Sequence, residues 1–145
     1  MKKSKHAVSC FKKGFSCSQA LLSTYSEQFG LDHELALKVS GTFGGGMGRM
    51  GETCGTVTGA FMIIGLKYGK TRAEDEQTKE KAYTLVQEFV KKFKARNGSI
   101  LCRELLRYDL STPAGKKLVE EKQLTTTLCP KYVENAAEII EEILI

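Results

Sequence analysis

A glycine-rich run interrupts a chain whose other segments follow a helical period. The run covers residues 41–51, GTFGGGMGRMG, and holds six glycines in eleven positions. An interior glycine costs a helix about 1 kcal/mol relative to alanine, and glycine also weakens a central strand. The run therefore predicts an irregular loop with helices on either side of it.

Apolar residues recur at helical spacing through most of the remaining chain, and no segment has a convincing strand pattern. The first helix follows the capping pattern Ser16-x-x-Gln19, and the last is expected to begin at Pro130, because proline suits the first helical position. The predicted helices cover about 16–29, 32–39, 54–68, 73–95, 101–106, 113–121 and 130–144. The pattern predicts an all-α fold, a compact bundle of about five to seven helices in a single domain spanning residues 1–145.

The charge balance excludes several classes of protein. Twenty-two basic and seventeen acidic residues give a net charge of +5, whereas a nucleic-acid surface is usually more basic, with aromatics among its cations. The longest apolar stretch, residues 60–66, is far shorter than the ~20 residues of a spanning helix. Lys12 and Lys13 interrupt the N-terminal apolar residues, so no secretory signal is supported. We expect a cytoplasmic protein that neither binds nucleic acid nor inserts into a membrane.

Five cysteines lie far apart in the chain. They are Cys10, Cys17, Cys54, Cys102 and Cys129. In a reducing compartment such cysteines are more often buried filler, metal ligands or redox centres than a disulfide framework. Since no C-x-x-C pair is present, any shared site must be assembled by tertiary folding.

Four of these cysteines fall at predicted helix N-termini. They are Cys17, Cys54, Cys102 and Cys129. Unpaired N–H groups and the positive end of the helix dipole favour an anion there, and a thiol in such a place can have a pKa well below ~8.5. The placement favours reactive or ligating sulfur. The alternative is that each cysteine is a small buried hydrophobe.

The glycine-rich run contains a literal G-x-G-x-x-G at residues 46–51. Dinucleotide binding is not favoured, because that motif requires a preceding strand in a βαβ unit. Gly46 and Gly48 are instead candidate cofactor-binding residues, whose N–H groups would face a thiolate or cluster sulfur. Arg49 is the third candidate, since its charge would lower the pKa of Cys54, whereas Glu52 would raise it.

The chain resembles the small redox-active proteins named for the pattern C_GCAxxG_C_C. The resemblance runs through FSCSQA (15–20), FGGGMG (43–48), CGTVTG (54–59), GLKYG (65–69) and GSILCRELL (98–106) and reaches Cys129. Cys17, Cys54, Cys102 and Cys129 match the four family cysteines, and Cys10 does not. Thr56 stands where the family's CGAxxG element has alanine. The resemblance implies redox activity but brings no reaction, substrate or cofactor with it.

The leading hypothesis is that these four cysteines converge on one redox-capable site. In one form, two of them cycle between dithiol and disulfide in exchange with a partner protein or a small thiol, with Cys54 as the expected attacking thiolate. In the other form, all four ligate zinc or an iron–sulfur cluster. The cofactor is left open by the sequence.

The alternative hypothesis is a helical interaction or dimerisation protein with structural cysteines. In that case the apolar segment 139–145 docks on a partner or on a second copy of the chain. Hydrolytic chemistry is disfavoured, since His6 and His33 are the only histidines, although a Cys-His nucleophile pair formed by folding stays open.

Overall fold

The computed structural model describes residues 2–145, and in that part of the chain it contains eight α-helices and no β-strand. In chain order they are α1 (Lys3–Lys12), α2 (Cys17–Tyr25), α3 (His33–Ser40), α4 (Gly55–Tyr68), α5 (Glu76–Asn97), α6 (Cys102–Leu105), α7 (Pro113–Glu121) and α8 (Leu124–Leu144). A short 3-10 turn, Glu27–Phe29, follows α2. The predicted all-α class is confirmed. The predicted count of five to seven helices is one too low, because α1 is not among the predicted helices.

The N-terminal helix α1 has little apolar surface for a sequence pattern to detect. Only Ser4 and Ala7 in it are buried. The helix packs against α8 and α2, and Lys5 pairs with Glu134 of α8 at 2.8 Å. A surface ion pair of this kind contributes at most about 1 kcal/mol. The helix therefore depends on tertiary packing more than on its own sequence.

The last helix begins at Leu124, so the predicted start at Pro130 is wrong. Gln123 precedes the helix with a left-handed φ of 53° and accepts the backbone hydrogen bond from Thr127. Pro130 lies inside the helix, where its missing N–H leaves the carbonyl of Thr126 without the usual helical donor. Cys129 is consequently an interior helical residue rather than one near a helix N-terminus.

The helix α4 lies at the centre of the bundle. It is apolar on all sides, as a helix surrounded by others must be, and it contacts α2, α5 and α8. Phe89 and Phe93 of α5 stack with ring centroids 5.9 Å apart, and both are fully buried. No helix within residues 2–145 combines the length and apolarity needed to cross a membrane.

The C-terminal end of α8 belongs to the same core. Ile139, Ile140 and Leu144 are buried within the chain itself, and Ile145 is exposed. The apolar segment 139–145 therefore contributes mainly to folding, and little of it is available for docking on a partner.

Side-chain caps fix the helix starts that surround the site. At α2 the predicted capping box is confirmed: Ser16 accepts from the N–H of Gln19, and the Gln19 side chain accepts from the N–H of Ser16. At α7 the Thr112 hydroxyl accepts from Gly115 at 3.0 Å. At α4 the N-cap residue is Cys54, and its side chain makes no capping hydrogen bond. A sulfur atom thus occupies a position where an oxygen cap is usual.

Candidate functional site

One cavity is lined by four of the five cysteines. They are Cys17, Cys54, Cys102 and Cys129. The cavity has a volume of about 880 Å³, and the rest of its wall comes from the end of α1, the glycine-rich loop, α7 and the start of α8. Cys17 is partly exposed, and the other three are buried. Folding therefore brings cysteines from the start, middle and end of the chain to one solvent-accessible space.

A short backbone bridge places Cys54 beside Cys102. Thr53 and Leu101 form an isolated antiparallel bridge, and the two flanking hydrogen bonds, each 2.7 Å long, are donated by the N–H groups of Cys54 and Cys102. Side chains alternate between the faces of extended backbone. Both cysteines therefore project on the same side of the bridge, opposite to Thr53 and Leu101.

The glycine-rich loop closes against Cys102. Residues 45–49 all have positive φ, between 62° and 71°, including the non-glycine residues Met47 and Arg49. A left-handed conformation costs an L-residue roughly 1–2 kcal/mol, which explains the glycine content. A Cβ added at Gly46 would lie 2.6 Å from the Cβ of Cys102 and 2.6 Å from the backbone nitrogen of Glu52. Gly46 is therefore required for close approach of the loop to this cysteine.

Two glycines one helical turn apart allow α2 and α4 to approach closely. A Cβ at Gly55 would lie 2.9 Å from the backbone nitrogen of Ser18 and 3.2 Å from the Cβ of Cys17, and a Cβ at Gly59 would lie 3.1 Å from the carbonyl oxygen of Ser18. The CGTVTG segment thus has a packing function. It holds Cys17 close to Cys54.

Cys17 and Cys129 both line the cavity, and each shifts the pKa of the other. Hydrogen bonding with the Cys17 thiol lowers the pKa of Cys129, against the opposing effect of burial. The same interaction is the largest cause that raises the pKa of Cys17 well above its ordinary value, followed by burial and by the neighbouring cysteines. Of the two, Cys129 is therefore the sulfur that loses its proton more readily.

Cys54 and Cys102 have the opposite electrostatic character. Burial raises the pKa of Cys54, although hydrogen bonds from Thr56, whose hydroxyl lies 3.1 Å from the sulfur, and from the N–H of Val57 oppose it. Burial, with Cys54, Cys129 and Asp109 nearby, raises the pKa of Cys102 to about 12. Both thiols are protonated near neutral pH. The expectation that Cys54 is the attacking thiolate therefore disagrees with the direction of its pKa.

The other sequence candidates have separate positions. Arg49 is exposed at the cavity wall. It is not among the groups that shift the pKa of Cys54. Glu52 pairs with Arg103 at 3.2 Å. Gly46 and Gly48 line the cavity, and their role as cofactor-binding N–H donors stays a prediction. Cys10 lies outside the cavity wall, with its sulfur 3.7 Å from the hydroxyl of Ser23.

The cysteines do not form an assembled metal centre. Four thiolates are a suitable donor set for zinc or an iron–sulfur cluster. In residues 2–145, however, no three His, Cys, Asp or Glu side chains are grouped as ligands of one metal ion. All five cysteines are also free thiols. The cavity wall therefore holds a thiol pair and two further thiols rather than a four-ligand site.

Comparison with protein families explains this distribution of cysteines and glycines. A family model described as "Putative redox-active protein (C_GCAxxG_C_C)" matches residues 15–143. The chain belongs to this family. Comparisons with curated proteins and with solved structures give no match. The resemblance noted in the sequence is therefore confirmed, and redox activity is the function that the family description carries.

Membership in the C_GCAxxG_C_C family separates Cys10 from the other cysteines. Cys10 precedes the matched segment, whereas the four cavity cysteines lie within it. Thr56, which replaces the alanine of the family element, is fully buried against Cys54. The substitution therefore adds a hydroxyl beside a cavity sulfur in this C_GCAxxG_C_C protein.

Sequence reasoning missed several residues of the cavity wall. Lys12, Lys116 and Tyr132 line it, and the Tyr132 hydroxyl donates to the carbonyl of Leu105 at 2.9 Å. Lys12 and Lys116 lie on helices whose lysines resemble an ordinary solvated face. No local signal distinguishes them, since the contact is made only by folding.

Proposed function

We propose that this protein is a thiol-based redox protein in which Cys17 and Cys129 cycle between dithiol and disulfide. The observation that carries the proposal is that both sulfurs line one cavity, where the interaction between them lowers the pKa of Cys129 and raises that of Cys17. The thiolate is the nucleophile in disulfide exchange. The pair thus supplies one attacking sulfur and one protonated sulfur held beside it.

The exchange has two steps. The Cys129 thiolate attacks one sulfur of a disulfide R–S–S–R, which forms a mixed disulfide and releases RS⁻. Cys17 then loses its proton to the departing thiolate, which becomes RSH, and attacks the Cys129 sulfur, which releases the second RS⁻. Two electrons and one proton pass from the protein to the substrate, the second RS⁻ takes its proton from solvent, and a dithiol reductant returns the protein to its starting state.

The Cys54 and Cys102 thiols support this assignment by contrast. Both are buried like Cys129, but their pKa values are raised, which keeps them protonated. A protonated buried thiol is a poor nucleophile. We therefore assign the first attack to Cys129 and a supporting position in the wall to Cys54 and Cys102. The redox partner, the oligomeric state and the cytoplasmic location stay predictions from the sequence.

The test is to identify which sulfurs react when the reduced protein meets a disulfide. We expect dithiodipyridine, followed by rapid acid quenching, alkylation and peptide mass mapping, to give one intramolecular Cys17–Cys129 disulfide and three free thiols. Dithiothreitol should reverse it. Initial labelling at Cys54 or Cys102 would overturn the assignment without requiring any variant.

Serine variants separate the two roles. Cys17→Ser should accumulate a stable mixed disulfide at Cys129, because the resolving thiol is missing. Cys129→Ser should form no mixed disulfide at Cys17. Cys10→Ser is the matched control, since Cys10 lies outside the cavity, and it should oxidise like the natural protein. Visible charge-transfer absorption with bound iron in anaerobically purified protein would contradict the dithiol proposal.

A further inference from the structure

Three cations line the cavity that holds the cysteines. They are Lys12 at the end of α1, Arg49 in the glycine-rich loop and Lys116 on α7. None of them takes part in the ion pairs found in residues 2–145. Of the described carboxylates, Glu120 alone reaches the same wall. The wall therefore carries an excess of positive charge that the chain itself does not neutralise.

The position of Arg49 is built into the loop. Arg49 has a left-handed φ of 66°, and a Cβ added at Gly45 would lie 2.8 Å from its Cγ. The aliphatic part of the side chain thus crosses the backbone of Gly45. Because a Cβ at that glycine would collide with it, Gly45 is what allows the Arg49 side chain to lie against the loop beside the cavity.

The other nearby carboxylates have partners of their own. Glu52 is paired with Arg103 at 3.2 Å. Asp109 accepts from the N–H and hydroxyl of Ser111 at 2.9 and 2.6 Å. Neither contributes to the cavity wall. Their negative charges reduce the positive potential at the cavity wall, but neither carboxylate forms an ion pair with a lining cation.

The size and apolar lining of the cavity suit a small molecule. A volume of about 880 Å³ lies within the range of ~300–1,000 Å³ found for small-molecule sites. Phe11, Phe15, Leu110 and Val119 supply apolar wall, and Phe15 is 38% exposed. An organic substrate would therefore contact apolar surface with its body and cations with its charged ends.

We propose that the cavity takes small disulfides that carry carboxylate groups, oriented by Lys12, Arg49 and Lys116 with one substrate sulfur at Cys129. The proposal rests on the proposed function and names its substrate class. The chemistry is the same two-electron exchange: the anionic disulfide is the oxidant, two molecules of its thiol are released, and the protein pair becomes a disulfide. Reduction by a dithiol closes the cycle.

Three symmetrical disulfides of different charge provide the test. Dithiobis(nitrobenzoate) is a dianion, dithiodipyridine is neutral and cystamine is a dication. The rate of mixed-disulfide formation at Cys129 is measured for each in Cys17→Ser protein and divided by the rate with a small neutral thiol, which removes intrinsic reactivity. We expect the dianion to be preferred over the neutral probe by at least tenfold at low salt, the dication to be the slowest, and the preference to shrink as salt screens the cations.

Charge variants locate the effect. Arg49→Gln with Lys116→Gln should reduce the preference for the dianion about tenfold, since it removes two of the three cations that line the cavity. Lys117→Gln is the matched control: it removes the same charge on the same helix, but Lys117 pairs with Glu121 at 3.8 Å and does not line the cavity. Glu120→Gln should change the preference in the opposite direction, raising it about threefold.

The outcomes separate this inference from the proposed function. Equal normalised rates for all three probes at Cys129 would overturn the substrate class and leave the dithiol pair intact. A charge preference that Lys117→Gln changes as much as the double variant would also overturn it, because the cations would then act through overall charge. Failure of every probe to react at Cys129 would instead overturn the proposed function.

Discussion

The cavity has Cys17 and Cys129 on one side and Cys54 and Cys102 on the other, and the two sides differ in what sets the pKa values of their thiols. On one side, the interaction between Cys17 and Cys129 lowers the pKa of Cys129 and raises that of Cys17. On the other side, burial is the main cause of the raised pKa values of Cys54 and Cys102. The pKa values of identical side chains in one cavity are thus shifted in different directions, because Cys129 is buried like Cys54 and Cys102 but has a neighbouring thiol that opposes the effect of burial.

The comparison also shows that burial outweighs the helix dipole at Cys54 and Cys102. Cys54 caps α4 and Cys102 is the first residue of α6, yet burial raises the pKa of both. At Cys17, the first residue of α2, the interaction with Cys129 is the larger cause of the raised pKa and burial is the second. Cys129, inside α8, is the one with a lowered pKa. Desolvation can shift a pKa by up to ~3–5 units, whereas a helix terminus contributes about 0.3–1 kcal/mol.

The largest expected effect is a loss of stability at alkaline pH caused by Cys102. Its pKa is raised from 9.0 to about 12 in the folded protein. Its contribution is therefore fully present below the unfolded pKa and is lost as pH rises from about 9 to about 12. The three-unit difference corresponds to about 4 kcal/mol. Urea unfolding across this pH range should show a slope in the natural protein that Cys102→Ala makes shallower.

Cys10→Ala is the control for that measurement, since its thiol lies outside the cavity. Its stability should fall with pH as steeply as that of the natural protein. Cys129→Ala should make the slope somewhat shallower, because the interaction with Cys129 is the largest cause of the raised pKa of Cys17 and Cys129 also raises that of Cys102. If Cys102→Ala retains the full slope, the contrast between the two sides of the cavity does not hold.

A smaller effect is expected from moving α2, which begins at Cys17, away from α4, which follows Cys54. Gly55→Ala places a Cβ 2.9 Å from the backbone nitrogen of Ser18 and 3.2 Å from the Cβ of Cys17. Overpacking of this kind typically costs about 1–3 kcal/mol. We expect a matching decrease in the free energy of unfolding and slower oxidation of the Cys17–Cys129 pair, because α2 must move away from α4.

Gly65→Ala is the matched control for that substitution. Gly65 lies on the same helix, and a Cβ there would meet nothing within 4 Å. Alanine at an exposed helical position should increase stability, by up to about 1 kcal/mol. Equal effects of the two substitutions would show that helix propensity, rather than the approach of α2 to Cys54, accounts for Gly55.

The sequence predicted those parts of the fold that have a local cause. The Ser16 capping box and the glycine-rich loop depend on neighbouring residues, and both are present. The start of α8 was mispredicted because proline favours a first helical turn but is also tolerated inside a helix when tertiary packing compensates. The residues around Pro130 that decide this lie in other helices, where periodicity gives no information.

The sequence identified the cysteines of the candidate site but not the direction in which the pKa of each is shifted. The motif pattern identified the four cysteines, and folding places them around one cavity. Which sulfur has the lowered pKa depends on the interaction between Cys17 and Cys129, which lie 112 positions apart in the sequence. For the same reason, the sequence did not predict that Lys12 and Lys116 line the cavity. Spacing identifies residue types, whereas burial and distant contacts set the pKa of each.

The smallest expected effect concerns the hydroxyl that this chain adds beside Cys54. Thr56 is fully buried, and its oxygen lies 3.1 Å from the Cys54 sulfur, where it lowers the pKa against the effect of burial. Thr56→Val keeps the shape and removes the donor. We expect the pKa of Cys54 to rise further, with a change of about 1 kcal/mol in the free energy of its ionisation. The pH dependence of Cys54 alkylation, followed by peptide mass mapping, measures it.

Thr58→Val is the control on the same helix, since the Thr58 hydroxyl donates to the carbonyl of Gly55 at 3.2 Å rather than to sulfur. It should leave the alkylation profile of Cys54 unchanged, and Thr56→Ser should restore the natural profile. Because Thr56 is not among the causes of the lowered pKa of Cys129, the alkylation profile of Cys129 should move less than that of Cys54 in Thr56→Val. An equal shift at both cysteines would mean that the hydroxyl acts on the whole cavity rather than on Cys54.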